Sequence, residues 1–294
     1  MAASPPSPRL LPAIVTAGGR LSGPLTESAG TSIKALAPLG GRPLVAHVLD
    51  ALRASGRVGT VAVVGPRGHL AEAGIEGHAP LLVDEGQTGP ENILRGLRAL
   101  AELHGSGGKN DGHVLLSATD VPFLTGDSVR ALVEAAEADA ADADIVFPIL
   151  HRRDYESRFP GSPNEYARLR DGELTGGSVQ LVRPSAIEAN LPLIEKAFAA
   201  RKSQVEMARL LGLPFILRFL TRQLTVAQAE EQASRLTGCR CRALVVRDAR
   251  LAADIDSVAD YDYARGVWDA HHHHGRGAAE NPGGGTAPRG RHGT

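Results

Sequence analysis

An α/β fold, with a mostly parallel twisted sheet covered by helices on both faces and a helical subdomain added, is predicted by three features of this sequence. Short apolar runs rich in β-branched residues recur at 12–17 (PAIVTA), 60–65 (TVAVVG), 81–84 (LLVD), 113–118 (HVLLSA) and 145–150 (IVFPIL). Segments with apolar residues three or four apart alternate with them, as helices crossing between parallel strands require. Each run is continuously apolar, which marks a strand covered on both sides.

Taken in order, residues 1–11 are Pro- and Ser-rich and are expected to be a flexible terminus. The first strand ends abruptly at Gly18-Gly19, and a polar loop runs to Lys34. Pro43 opens a helix with Leu44, Val45, Val48, Leu49 and Leu52 on one side. Gly89-Pro90 starts another, in which Ile93, Leu94, Leu97 and Leu100 share a face. Residues 127–140 are helical by period and alanine content. After 150 the alternation stops. Arg152, Arg153, Arg158, Arg168 and Arg170 crowd a stretch that also carries Tyr155, Phe159 and Tyr166, and a Gly-Gly pair precedes a strand-like run to 183.

Residues 185–237 read as helical, with breaks at Pro192, at Gly212-Leu213-Pro214 and near Thr225, and are expected to form an inserted subdomain. Its most apolar piece, 207–224, is open to membrane contact, but Arg209, Arg218, Arg222 and Pro214 favour a packed helix. Residues 241–246 return to strand and 252–268 end in a helix. The organisation expected is therefore one domain over 12–270 and a disordered His/Gly-rich tail over 271–294.

Composition narrows the function classes. With 294 residues and 43% hydrophobic content the chain can bury one substantial core. A net charge of −1 gives no global attraction to nucleic acid or to a membrane, and 4% aromatic content argues against stacking platforms for single strands. Cys239 and Cys241 lack a second Cys or His pair at zinc spacing and read as packing residues. No leader and no apolar run of spanning length is seen, so a cytoplasmic location without stable membrane insertion is expected. The sequence does not indicate an oligomeric state.

Ligands of open α/β sheets bind beyond the carboxyl ends of the strands. Three features fall there: Gly18-Gly19 after the first strand, Asp120 after 113–118, and Asp254 with Asp256 after the last. Glycines there let backbone N–H groups approach phosphate, and a loop lysine supplies positive charge. The bland alternatives are a ligand-free turn, an Asp before a Val-Pro turn, and a helix start capped by Asp256 or Ser257.

The residues also carry a resemblance. Ala17-Gly18-Gly19-Arg20, Pro24-Leu25-Thr26 and the run from Lys34 to Leu44 (KALAPLGGRPL) resemble the N-terminal signature of the GT-A type nucleotidyltransferases. These include the molybdenum cofactor guanylyltransferase-like (MobA-like NTP transferase) enzymes and the sugar-1-phosphate nucleotidylyltransferases. Asp120-Val121-Pro122-Phe123-Leu124 is similar to their D-x-P-F-L, and residues 254–261 (DIDSVADY) to their D-I-D-T-P-E-D-[LY].

The resemblance implies a GT-A, Rossmann-like fold and transfer of a nucleotidyl group from an NTP to a small anionic, phosphorylated acceptor, with release of pyrophosphate. It implies Mg²⁺ on Asp120 and Asp256, with Asp254 one step back, and Lys34 beside the reacting phosphates. Ala17, Gly18, Gly19, Arg20 and Lys34 would meet the triphosphate, and Gly89 and Asn92 the base. Thr175-Gly176-Gly177-Ser178 resembles an acceptor-side turn, and guanidiniums such as Arg168 and Arg170 suit an anionic acceptor. The alternatives there are a hairpin glycine pair and a solvated network with Asp154, Glu156, Glu165, Asp171 and Glu173. A glycosyltransferase of the same fold and a non-catalytic nucleotide-binding module are the rival functions. The first lacks a D-x-D, since residues 118–120 read Ala-Thr-Asp.

Overall fold

The computed structural model describes residues 9–78, 81–104, 112–201 and 203–276. The predicted flexible residues 1–8 and most of the predicted tail, 277–294, lie outside the described residues.

The chain begins with strand β1 (Leu11–Thr16), helix α1 (Pro24–Ala29), a 3₁₀ turn over Lys34–Leu36, the small hairpin β2 (Pro38–Leu39) and β3 (Arg42–Pro43), and α2 (Leu44–Ala54). Strand β4 (Val58–Gly65), α3 (Arg67–Glu72), β5 (Leu81–Asp84), α4 (Gly89–His104), β6 (Val114–Ala118), α5 (Gly126–Asp139) and β7 (Ile145–His151) complete the regular half. Next come α6 (Arg152–Arg158), β8 (Ala167–Leu169), β9 (Gly172–Gly176) and β10 (Val179–Val182). Helices α7 (Pro184–Ala200), α8 (Gln204–Leu211), α9 (Leu213–Leu220) and α10 (Val226–Thr237) precede β11 (Cys241–Val245), and α11 (Val258–Arg276) closes the described chain.

Strands β5, β4, β1 and β6 run parallel in that order. β10 follows antiparallel to β6 and β7, and β11 pairs parallel with the far edge of β7. β9 continues the edge that β10 takes on β7, pairing Gly176 with Ile149, and β8 folds back on β9. Side chains alternate between the two faces along each strand. Ala13, Val15, Val63, Leu115 and Leu181 meet Val45, Val48 and Leu49 of α2 and Val129, Leu132 and Val133 of α5. Ile14, Ala62, Val64, Val114 and Val182 meet Leu97 and Leu100 of α4 and Ile187 of α7. Leu97 and Leu100 are 4% exposed, so the helical spacing read from 89–103 is the spacing that buries them.

Four expectations need correction. Pro192 sits inside a continuous α7, whose own bonds survive because a proline costs a helix only one N–H and a local clash. The last helix starts at Val258, since residues 249–251 form a 3₁₀ turn and 252–257 are irregular. That helix continues to Arg276, so the chain is still helical over 271–276, where a tail was expected. The apolar 207–224 piece is packed only in part: Leu224 is buried, but α9 has no buried residue. Cys239 and Cys241 are buried thiols in the core beside α7 and α10, as packing residues should be.

Helix α11 clamps the front loop. Tyr261, Ala264 and Trp268 pack with Leu25, Leu39 and Leu44, and the Tyr261 hydroxyl donates to the Pro38 carbonyl. The Trp268 indole lies against the Gly40 turn and edge-on to His47, with ring centroids 4.6 Å apart.

Candidate active site

The carboxyl ends of β1, β5 and β6 open on one edge, and the front loop folds over it. Leu21 N–H donates to Ser32 O and Lys34 N–H to Gly19 O (3.1 Å), an isolated antiparallel bridge that fixes Lys34 beside the glycine turn. Asp120 leaves β6 two residues past its end, and its carbonyl accepts from Ile255 N–H at 3.0 Å, which draws the 254–256 segment alongside.

Lys34 Nζ lies 2.5 Å from Asp120 Oδ2 and 2.5 Å from Asp256 Oδ1. The lysine and Asp120 side chains are 15% and 12% exposed, while Asp256 is 74% exposed. Burial acts to lower the Lys34 pKa, but Asp120 and then Asp256 more than offset it, so the amine is held above its ordinary value and stays charged. Two of its three N–H donors are spent on these carboxylates, and one is left to point elsewhere. The helix start needs neither: Ser257 and Asp260 cap α11 reciprocally, with Asp260 accepting from Ser257 N–H (2.8 Å) and Ser257 Oγ accepting from Asp260 N–H (3.2 Å). The Asp256 carboxylate is thereby free to turn toward Lys34.

Asp254 belongs to the same cluster, through Ser178 Oγ, which donates to its Oδ2 at 3.1 Å. Burial first, then the charges of Asp120 and Asp256, push its carboxyl up to about 6. Ser178 is placed by its own backbone, donating to Leu251 O (2.8 Å) and accepting from Ala118 N–H (3.1 Å). Gly177 donates to Pro148 O at 2.8 Å. The Gly-Gly pair is thus the β9–β10 junction, and it sets a serine against the acidic cluster.

At the glycine turn, among the described residues, no acceptor meets the N–H groups of Gly18, Gly19 or Arg20. A Cβ on Gly18 would come within 2.7 Å of Glu85 Oε2 and 2.9 Å of Asn92 Nδ2, so a larger residue would have to displace both side-chain tips. Asn92 is buried and its Oδ1 accepts from Gly86 N–H at 2.6 Å. Arg20 donates to Gly18 O at 2.9 Å and forms a close two-pronged pair with Glu85.

Glu85 was missed in the sequence. It directly follows β5, so its place at a strand's carboxyl end was the available signal, but no motif marks it. Gly89 has a different reason from base approach: a Cβ there would meet Phe198 of α7 at 2.5 Å. It is small so that α7 can pack across the start of α4. Ala17 is buried just past the end of β1, with its N–H bonded to Val64 O.

The arginines are not gathered here. Arg168 pairs with Glu173 at 2.9 Å, Arg152 with Glu156 at 2.7 Å and Glu173 at 3.1 Å, and Arg153 lies near Asp154 at 3.8 Å. Arg170 is tied by its backbone, N–H to Leu224 O at 2.8 Å. Glu173 is five residues from Ser178, about 17 Å along an extended strand. Thr175 and Gly176 border an apolar cavity of about 230 Å³ beneath α10, lined also by Phe147, Ile149, Leu169 and Val226 and not by Lys34.

Oxygen donors alone converge on Lys34, as a hard cation requires. Asp120 Oδ1 is buried and, among the described residues, has no hydrogen-bond partner. An orphaned carboxylate oxygen beside a second, exposed carboxylate fits Mg²⁺. No group of three or more His, Cys, Asp or Glu side chains forms a ready metal cage among the described residues. Mg²⁺ commonly takes one or two carboxylates and completes its shell with water and phosphate, so two suffice.

Residues 13–190 match the family model described as the MobA-like NTP transferase domain. The bifunctional protein GlmU of Sphingopyxis alaskensis is 32% identical over 141 residues, 48% of this chain and 28% of that protein. The 2-C-methyl-D-erythritol 4-phosphate cytidylyltransferase of Ralstonia nicotianae is 34% identical over 136 residues, 42% of this chain and 54% of that one. The chain therefore spans little more than a quarter of the first relative's length and about half of the second's. The structure of a hypothetical transferase from Thermus thermophilus superposes with a TM-score of 0.70 at 33% identity, covering 85% of this chain and 99% of that one. With more than half its length matched and Lys34, Asp120 and the glycine turn inside that span, the chain belongs to the MobA-like NTP transferase domain family of nucleotidyltransferases.

Proposed function

We propose that this protein transfers a nucleoside monophosphate from an NTP to a small anionic acceptor and releases pyrophosphate. The observation that carries it is the lysine bridge: one half-buried ammonium held at 2.5 Å from carboxylates of two separate segments, next to a turn whose N–H donors meet no acceptor among the described residues. An acceptor oxygen would attack the α-phosphorus, forming the new O–P bond as the bond to the β-phosphate oxygen breaks and the electron pair leaves with pyrophosphate. The donors of Gly18, Gly19 and Arg20 would hold the β- and γ-phosphates. The remaining donor of Lys34 would face charge that grows on the phosphoryl oxygens. Asn92, fixed by Gly86, is in reach of a base edge at the same turn.

Asp120 and Asp256 are the residues that would hold Mg²⁺, which when bound supplies charge neutralisation at the phosphates. Asp254 supports them from behind, and Ser178 orients it. A phosphate monoester acceptor carries its own anionic oxygen and requires no general base, which suits a cluster without histidine. Arg168 and Arg170 as acceptor ligands stand on weaker ground, because the Arg168 guanidinium is already matched by Glu173.

Pyrophosphate release, measured with each of the four NTPs against a panel of phosphorylated acceptors and with Mg²⁺ present or removed by chelation, tests the proposal. One NTP and one acceptor should give metal-dependent release. Tight NTP binding with no release for any acceptor would favour the regulatory module instead.

A further inference from the structure

Helix α9 reads LPFILRFL, and not one of its residues is buried. Leu213, Leu217 and Leu220 are 68%, 52% and 70% exposed, and their spacing of four and three sets them on one stripe. Phe219 beside them is 40% exposed, and Val205 of the adjoining α8 is 59% exposed. Phe215 and Ile216 turn inward and are half-buried. Single exposed apolar residues need no explanation, but a stripe of them along one helix does.

The charge around the stripe is one-sided. In a chain of net charge −1, residues 207–229 contain Arg209, Arg218 and Arg222 and no Asp or Glu. Arg209 pairs with Glu206 at 2.7 Å. Among the described residues no carboxylate pairs with Arg218 or Arg222. A second copy of the chain is a poor cover for this face. A two-fold interface sets a patch against itself, so it would double the guanidiniums of Arg218 and Arg222 in one interface without bringing an acid from 207–229 to offset them. An anionic bilayer answers both features: its hydrocarbon accepts the leucines, and its headgroup phosphates accept the guanidiniums while the arginine stems stay in the apolar layer. Eight residues make a helix only about 12 Å long, so it would lie in the interface and not cross it. No helix among the described residues is long and apolar enough to cross.

We propose that α9 is a docking surface for anionic phospholipid, through the Leu213, Leu217 and Leu220 stripe and the guanidiniums of Arg218 and Arg222. The test is co-sedimentation of the full chain with phosphatidylcholine vesicles, with and without phosphatidylglycerol. The chain should sediment with the anionic vesicles, and raising salt should release much of it. R218Q and R222Q should each weaken binding about fivefold. The triple variant L213S/L217S/L220S should abolish it. All five positions are exposed, so thermal melting should be unchanged; if the triple variant does not fold, the two arginine variants still decide. A chain that stays in the supernatant with anionic vesicles overturns the proposal. So does concentration-dependent self-association that the leucine substitutions abolish, which would make a second copy the occupant.

Discussion

The cation of the front loop and the arginines of 152–168 both face carboxylates, and they differ in how far they are withdrawn from water. Lys34 is 15% exposed and reaches Asp120 and also Asp256, which lies 222 residues from it in sequence. Arg152 and Arg168 are 44% and 56% exposed and pair with Glu156 and Glu173 of their own neighbourhood. Exposed pairs are screened and contribute little, whereas a buried ammonium between carboxylates is preorganised and cannot relax into solvent. Crowding of charge in a sequence is therefore a poor guide to chemistry. Withdrawal of one charge to the ends of several strands is a better one.

The largest effect expected from breaking this contrast is at Asp120. Asp120→Asn should keep the fold and lower kcat/KM about 10³-fold, because the buried orphan oxygen loses its charge. Steady-state kinetics with far-UV circular dichroism as the fold control decide it; an unchanged rate removes Asp120 from the site. Lys34→Ala should follow, at about 10²-fold in kcat/KM, and should lower the melting temperature more than Asp256→Ala does. Asp256 can return to water, and Asp120 cannot. Equal melting losses would mean the lysine bridge is no more buried in effect than a surface pair.

A middle case sharpens the comparison. Asp144 accepts from Arg240 N–H at 2.8 Å and Nη2 at 3.0 Å, and these bonds, with Arg183 nearby, hold its carboxyl below the usual range. A depressed folded-state pKa gives stability that is present above the unfolded value of 3.8 and lost as pH falls through the folded one. Asp144→Asn should thus cost on the order of 1 kcal/mol at neutral pH, with the gap to the parent closing in acid. Urea unfolding at pH 7 and pH 3 measures it. The smallest effect is expected at Arg168: Arg168→Ala should change stability by no more than about 0.5 kcal/mol. A selective rise in KM for the acceptor alone would restore it to the site.

Much of the sheet was legible because β1, β4, β6 and β7 are buried on both faces and so are written as unbroken apolar runs. The glycine turn and Asp120 were legible for the same reason, since each follows such a run, whereas the 254–256 acids lie past a 3₁₀ turn beyond the alternating strand β11 and were legible only through the resemblance of residues 254–261. Glu85 was not, because β5 is short and half-buried and nothing in its composition marks what lies past its end. Gly89 looked like a ligand approach, yet its demand for space comes from Phe198, more than a hundred residues on. Helix α9 was misread in the opposite sense: apolar content says that a helix wants cover, not that the same chain supplies it.

The clamp of α11 on the front loop has an optical consequence. Trp268 is the chain's single tryptophan, and it is wedged between the Gly40 turn, His47 and Phe123. The segment before it carries Asp254 and Asp256, and the loop it rests on carries Lys34. The indole's emission is therefore a built-in gauge of whether those two segments are seated together. It would follow ligand binding and local loosening without a label, from a position outside the ligand space itself.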